Sequence, residues 1–272
     1  MIGVANHDPE YVAARRVLLD ALEALGPHRK AVVLVGAQAI YLHVGEGDMA
    51  VAPFTTDGDL AINPSVLDDE PILAEALGAA GFGLAVNPGT WSLNDVQIDL
   101  LVPSSLGGPG RRSARLGPHG TEVARKANGL EAAIVDHRVV LLHSLAPDDD
   151  RSFEVAVAGP AGLLVAKLHK IAERETTPDR WAPKDGLDVL RILRGVDLVQ
   201  IATTLTELAL DSVAGVVTRE ARSYLERLFA DRAAHGARMA VQASAGLEDA
   251  AAIALSCEVL ARRLLATWGA PP

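Results

Sequence analysis

Thr55-Thr56-Asp57-Gly58-Asp59-Leu60-Ala61-Ile62 is the stretch on which the reading of this chain turns. Its second half is apolar and strand-like, and two carboxylates stand two residues apart at its start. On a β-strand, residues i and i+2 point to the same face, so Asp57 and Asp59 are expected to project side by side. Adjacent carboxylates repel one another unless a cation lies between them. Hard divalent cations such as Mg²⁺ favour such an all-oxygen setting. A solvated turn leading into a strand is the plainer alternative, since Asp is a common turn residue.

Upstream, Asp8-Pro9-Glu10 has the chemistry of a helix start, with Asp8 as N-cap and Pro9 at the first helical position. Apolar residues recur at helical spacing as far as Leu25, and Gly26-Pro27 ends the helix. Residues 31–35 are wholly apolar and read as a buried strand. Gly36 follows, and residues 37–43 read as a helix. A strand that passes through one glycine into a helix lets backbone N–H groups approach a phosphate. A tight strand–helix turn with no ligand explains the same pattern, and no Gly-Lys-Ser/Thr occurs here.

Downstream, residues 68–80 read as a helix closed by Gly81, and residues 82–86 and 89–93 as short strands. Residues 96–103 form a strong strand pattern with one acid, Asp99, at its centre. A carboxylate there is costly unless it is paired or metal-bound, or unless it faces solvent on an edge strand. In the functional reading it is the third acid that Asp57 and Asp59 lack. Residues 104–128 are rich in Gly, Pro and Arg and read as a long loop carrying Arg111, Arg112, Arg115, Arg125 and Lys126. That loop is either simply solvated or a basic lip for a polyanion. Residues 131–136, 139–145 and 153–157 are further strand candidates.

At Gly159-Pro160 the pattern becomes helical and stays so. Helices are expected over residues 161–173, 184–194, 197–210, 211–233 and 247–268, with a connector at 236–246. The fold class is therefore α+β: a mixed sheet with flanking helices over residues 1–158, then a helical bundle over 159–272. In the first two of these helices, Lys167, Lys170 and Arg174 share a stripe, and Asp185 and Asp188 share a face. This is an interhelical ion-pair bundle, or a set of phosphate-contacting cations held by carboxylates. His43 and His169 are isolated and read as structural.

Composition bounds the function. The chain has 272 residues, 49% hydrophobic and 22% charged, as expected of a globular protein with a sizeable core. A net charge of −10 argues against broad, non-specific nucleic-acid binding but leaves room for a local basic groove. Cys257 is the only cysteine and is expected to be a buried small hydrophobe. Without an internal disulfide, a reducing compartment suits the chain. There is no secretory pattern and no apolar run near the ~18 residues of a membrane span, so a cytoplasmic protein away from membranes is expected.

The segments Gly36-Ala37-Gln38-Ala39-Ile40-Tyr41-Leu42-His43, Thr55-Thr56-Asp57-Gly58-Asp59-Leu60 and Ile98-Asp99-Leu100 together resemble the signature of the polymerase-β-like nucleotidyltransferase superfamily. Lys167-Leu168, Arg174 and Lys184-Asp185-Gly186-Leu187-Asp188-Val189 resemble more particularly the AbiEii-type members, the toxin halves of abortive-infection and related toxin–antitoxin systems. The resemblance spans roughly residues 30–192. Three positions depart from it: Ala37 where a second small residue such as Ser is usual, Pro53 where Arg is usual, and Gly58 where an apolar residue is usual.

The resemblance implies a polymerase-β-like sheet and transfer of a nucleotidyl group from a nucleoside triphosphate. It implies Asp57, Asp59 and Asp99 as ligands of Mg²⁺ or Mn²⁺, with Lys167 and Asp185 completing the catalytic set. It implies Gly36, Ala37, Thr55, Lys167, Lys170 and Arg174 as contacts of the nucleotide. The implied acceptor is an RNA 3′ end, including that of tRNA, a protein hydroxyl or a small molecule, with RNA or tRNA expected first, and the implied protein partner is a cognate antitoxin. A small-molecule nucleotidyltransferase of the aminoglycoside-modifying kind is the rival enzyme, and suits the acidic chain. A catalytically inactive nucleotidyltransferase fold with a binding or regulatory role is the rival from another class.

Overall fold

The computed structural model describes residues 7–45, 54–175, 177 and 182–269. Helix α1 (Pro9–Leu25) begins as its sequence requires, with the Asp8 carboxylate accepting from the Glu10 N–H at 2.8 Å. Strand β1 (Val32–Val35) is buried along its whole length and runs through Gly36 into helix α2 (Gly36–Val44). Strand β2 (Asp57–Ile62) follows, then helix α3 (Leu73–Ala79), β3 (Gly83–Leu84), β4 (Thr90–Leu93) and β5 (Val96–Pro103). Next come β6 (Arg125–Ala127), helix α4 (Leu130–Val135), β7 (His137–His143) and β8 (Ser152–Ala158).

The strands form one mixed sheet in the order β3-β4-β5-β2-β1-β8-β7, with β6 paired to β5. β2 runs parallel to β5, β1 parallel to β8, and β5 parallel to β6, while the remaining pairs are antiparallel. Alternation along β2 sends Gly58 to one face, where a Cβ would lie 2.7 Å from Ile98 Cδ1 and 3.4 Å from Leu18 Cδ1 of α1. The missing side chain is what lets α1 close onto the sheet there. Asp57 and Asp59 point to the other face.

Helices α5 (Pro160–Arg174), α6 (Pro183–Gly195), α7 (Leu198–Leu208), α8 (Gly215–Phe229), α9 (His235–Ala243) and α10 (Ala250–Thr267) complete the chain. The architecture is thus α+β, a mixed sheet with flanking helices followed by C-terminal helices. One continuous cluster of buried apolar residues runs from Leu18, Leu34 and Leu60 to Leu164, Leu190, Leu225 and Cys257. None of the described helices is long and apolar enough to cross a membrane.

Four segments differ from the sequence expectation. Residues 131–136 are not a strand: 131–135 lie in α4 and Asp136 follows it, and Ala132 and Ala133 are small enough for α5 to press against them. A Cβ at Gly162 of α5 would lie 2.8 Å from the Ala132 carbonyl oxygen. Residues 236–246 are largely the helix α9, whose Gly236 seats against the Phe229 ring with no room for a Cβ (2.4 Å to Cζ). Tertiary packing, which no local pattern reports, makes both elements. The expected helix over 68–80 is helical only from Leu73, because Pro71 disfavours the α conformation at the residue before it. His119 takes up the local backbone instead: its Nδ1 accepts from the Leu73 N–H at 3.2 Å, and its Nε2 lies 2.8 Å from the Asp68 carbonyl. Finally, the loop at 104–128 ends in β6, so Arg125 and Lys126 lie in the sheet while Arg111, Arg112 and Arg115 remain exposed.

Candidate functional site

Strand register assembles the acids. β2 and β5 run parallel with Asp59 opposite Asp99 and Asp57 opposite Gln97, so the three carboxylates share one face of two central strands. β1 lies on the other side of β2 with Val35 opposite Asp59, which brings the next residue, Gly36, over the Asp59 side chain. Gly36 has φ +69°, and a Cβ there would lie 2.0 Å from Asp59 Oδ2. Only glycine meets both demands, a left-handed backbone and contact with a carboxylate.

The segment around Asp57 is held from several directions. Buried Thr55 donates its hydroxyl to Asp57 Oδ1 at 2.5 Å. Gln38 of α2 donates to the Asp57 carbonyl at 3.0 Å, and its own Oε1 accepts from Arg15 Nε at 2.8 Å. Tyr41, also of α2, donates to the Phe54 carbonyl at 2.8 Å and accepts from Arg191 of α6 at 3.2 Å. Burial and Asp188 push the Tyr41 phenol up to about 12, so it remains a donor. Ala37 is buried in the first turn of α2 and brings no polar group to the site.

Asp59 forms no hydrogen bond or ion pair among the described residues. Burial first, then Asp57 and Asp99, raise its pKa to about 6 against the opposing pull of Lys170 and Lys167. Asp99 differs: its Oδ1 accepts from the Thr90 hydroxyl at 2.7 Å and its Oδ2 from Arg125 at 2.5 Å. The central-strand acid is therefore paired, as its position demands.

The opposite wall comes from α5 and α6. Lys167 is buried and donates to Asp185 Oδ1 and Asp188 Oδ2, both at 2.7 Å. Lys170 reaches Asp185 at 3.1 Å and Arg174 reaches it at 3.3 Å, while Arg191 reaches Asp188 at 3.2 Å. Burial alone would lower the Lys167 ammonium pKa, but the two aspartates carry it above the usual lysine value. Burial would raise the Asp185 carboxyl, and Lys167, Lys170 and Arg174 overcome that and hold it well below the carboxylate range. Lys184, at the start of α6, stacks 6.0 Å from the Phe54 ring centroid. Burial holds its pKa below the lysine value, although Asp188, Asp57 and Asp59 all pull it upward.

Acids and cations thus face one another across the space between the sheet and α5–α6. Asp57, Asp59, Asp99, Gly36, Thr55, Lys167, Lys170, Arg174 and Asp185 are brought together, although Lys167 is spent on Asp185 and Asp188, and Asp185 on Lys167, Lys170 and Arg174. Pro53 lies outside the described residues. Sequence reasoning left Arg125 in a loop read as solvated or as a basic lip, without its pairing to Asp99, and gave no role to Lys184, Gln38 and Tyr41. Lys184 and Asp188 carried a signal in the quoted K-D-x-x-D run, whereas the Arg125 partner lies 26 residues away and no spacing rule finds it. His43 and His169 serve the fold, with their Nε2 atoms 2.7 Å from the Ala158 carbonyl and 2.8 Å from the Val217 carbonyl.

No cluster of three or more His, Cys, Asp or Glu side chains among the described residues is arranged to hold a metal ion. The pair Asp57 and Asp59 suits a cation of the Mg²⁺ type, which is commonly held by one or two carboxylates together with substrate phosphates and water. The unpaired Asp59 carboxylate and its mutual repulsion with Asp57 are what such a cation would relieve.

Gly36→Ala is expected to cost about 1–3 kcal/mol from backbone strain and the clash with Asp59. Denaturant unfolding of the variant checks this. A wild-type midpoint would mean that the turn relaxes freely. Comparison of the chain with protein-family models, with curated proteins and with solved structures gives no match.

Proposed function

We propose that the chain is a nucleotidyltransferase that moves a nucleotidyl group from a nucleoside triphosphate to an acceptor hydroxyl, with RNA, tRNA foremost, as the acceptor. One observation carries the reading: Asp57, Asp59 and Asp99 share a face of two adjacent parallel strands, under a glycine turn and opposite a lysine-rich helical wall. In transfer, the acceptor oxygen bonds to the α-phosphorus as the bond to the β-phosphate bridging oxygen breaks. Pyrophosphate leaves with that electron pair, and the hydroxyl proton passes to solvent.

Asp57 and Asp59 would hold a divalent cation, Mg²⁺ or Mn²⁺, which when bound neutralises phosphate oxygens. Lys170, whose side chain is 41% exposed, has access to a triphosphate, while half-buried Lys184 lies close enough to Asp57 and Asp59 to act on the charge there. Buried Lys167 acts behind them by fixing Asp185, which in turn orients Lys170 and Arg174. The glycine turn at the start of α2 leaves backbone N–H groups open to a phosphate. Action as a toxin restrained by a cognate antitoxin rests on the sequence resemblance alone.

Incubating the full chain with each labelled nucleoside triphosphate, Mg²⁺ and either total RNA or aminoglycosides tests the proposal. Label should pass to RNA, and only when the cation is present. Transfer to the aminoglycosides alone would move the acceptor to small cationic molecules. The Asp99–Arg125 pair favours a second reading, an inactive nucleotide-binding domain. Calorimetric binding of a nucleotide without any transfer would support it, and absence of both would remove both readings.

A further inference from the structure

Asp99 meets a cation that is fixed in the sheet. Its carboxylate is only 20% exposed and both oxygens are engaged, Oδ1 by Thr90 and Oδ2 by Arg125. Arg125 does not reach in from a loose loop. It sits on β6, opposite Leu101 of β5 and therefore two residues along the strand from Asp99, on the same face. β6 is clamped from outside, with the Lys126 N–H donating to the Arg112 carbonyl at 2.7 Å and Ser113 bridging Arg125. The turn at Gly89 presses on it from the other side: a Cβ there would lie 2.5 Å from the Arg125 nitrogen.

A guanidinium keeps its charge at every accessible pH and carries five N–H donors in a rigid fork. Among the described residues one donor of Arg125 is spent on Asp99, and its side chain is 29% exposed. A divalent ion bound to Asp99 would have to sit beside that charge, whereas neither Asp57 nor Asp59 forms an ion pair among the described residues, and Lys170 and Lys167 act on Asp59 only from a distance.

We propose that Arg125 stands in for a second metal ion at Asp99, so that the chain holds a single divalent cation on Asp57 and Asp59 and offers the remaining Arg125 N–H groups to a substrate phosphate. This rests on the nucleotidyltransferase reading. Arg125 would complement phosphate negative charge as a metal does, but as a covalent part of the sheet, present before substrate arrives.

Mn²⁺ titration of the full chain, followed by calorimetry and electron paramagnetic resonance, tests it without reliance on activity. Wild type should bind one ion per chain and give a mononuclear spectrum. Arg125→Ala should bind a second ion and give the spectrum of a coupled pair, while Arg125→Lys, which keeps the charge, should stay at one. Asp99→Asn should still bind one ion per chain, more weakly because a neighbouring negative charge is gone, an arm that does not depend on any Arg125 variant folding. Two ions on wild type, or no ion bound by Asp99→Asn, would overturn the inference while leaving the metal-dependent reading intact. No Mn²⁺ on wild type, or binding that survives Asp57→Ala, would remove that reading and the inference with it.

Discussion

Lys167→Ala is expected to destabilise the protein by about 3–5 kcal/mol, the usual cost of removing one partner from a buried ion pair. Lys167 is 6% exposed and its ammonium lies between Asp185 and Asp188, themselves 3% and 0% exposed. Removing it strands two buried negative charges beside each other. Lys170, Arg174 and Arg191 stay within reach at 3.1–3.3 Å, which places the loss toward the lower end of the range. The pH dependence follows from the shifts of both partners. The Asp185 carboxyl is lowered in the fold, so its contribution is full above the ordinary aspartate value near 4 and disappears as pH falls through the lowered one. The Lys167 ammonium is raised, so its contribution is full below the ordinary lysine value and is lost only at higher pH. Denaturant unfolding at pH 7 should therefore separate variant from wild type by the full amount, and the gap should shrink on strong acidification. A loss below about 1 kcal/mol would mean that the network behaves as a solvated surface pair.

Asp57→Ala should lower nucleotidyl transfer at least about a thousandfold, since a metal-held phosphate contributes several kcal/mol to the barrier and each 1.36 kcal/mol is a factor of ten. Retained transfer would sink the site. The neighbouring acid supplies a counter-test with the opposite sign on stability. Asp59 has its pKa raised from 3.8 to about 6 by burial and by the charges of Asp57 and Asp99. A raised folded value means that the protonated form is the stabilising one. Its contribution is complete below about pH 4 and is lost as pH rises through about 6. At pH 7 the cation-free protein thus carries an unfavourable charge. Asp59→Asn should raise stability there by roughly 1–2 kcal/mol, allowing for the partial exposure of the group, and by almost nothing at pH 4. Saturating Mg²⁺ should close the gap by stabilising wild type alone. Lower stability of Asp59→Asn at pH 7 would mean that the carboxylate has a structural partner instead of a ligand. Gain of stability together with loss of transfer is the pattern expected where a site is built from repelling charges.

Much of this was legible in the chain because the signals are local. Asp8 and Pro9 start α1 through groups within two residues of each other. The apolar run 32–35 can only be buried, and the two-residue period of β2 puts Asp57 and Asp59 on one face whatever surrounds them. The three-residue spacing of Asp185 and Asp188 likewise decides that they share a helix face, and they meet Lys167 as that spacing allows.

Other features depend on what the rest of the chain brings up. Residues 131–136 and 236–246 are too short or too glycine-containing to declare a helix, and become α4 and α9 because α5 and α6 offer surfaces that fit them. A Cβ at Gly186 of α6 would lie 2.6 Å from Met239 Cβ of α9, a complementarity that exists only after both helices are placed.

By itself, then, the sequence determined the acids of β2, the third acid of β5 and the cationic stripe of α5, since strand and helix periods fix facing directions from residue spacing alone. Only the tertiary structure decided which of these charges are already satisfied. The partner of Asp99 lies 26 residues on and that of Lys167 lies 18 on, and strand register and helix packing join both pairs. Asp59 alone among the three acids is left without a partner among the described residues, because the carboxylates beside it repel it and the glycine turn above it carries no side chain to meet it.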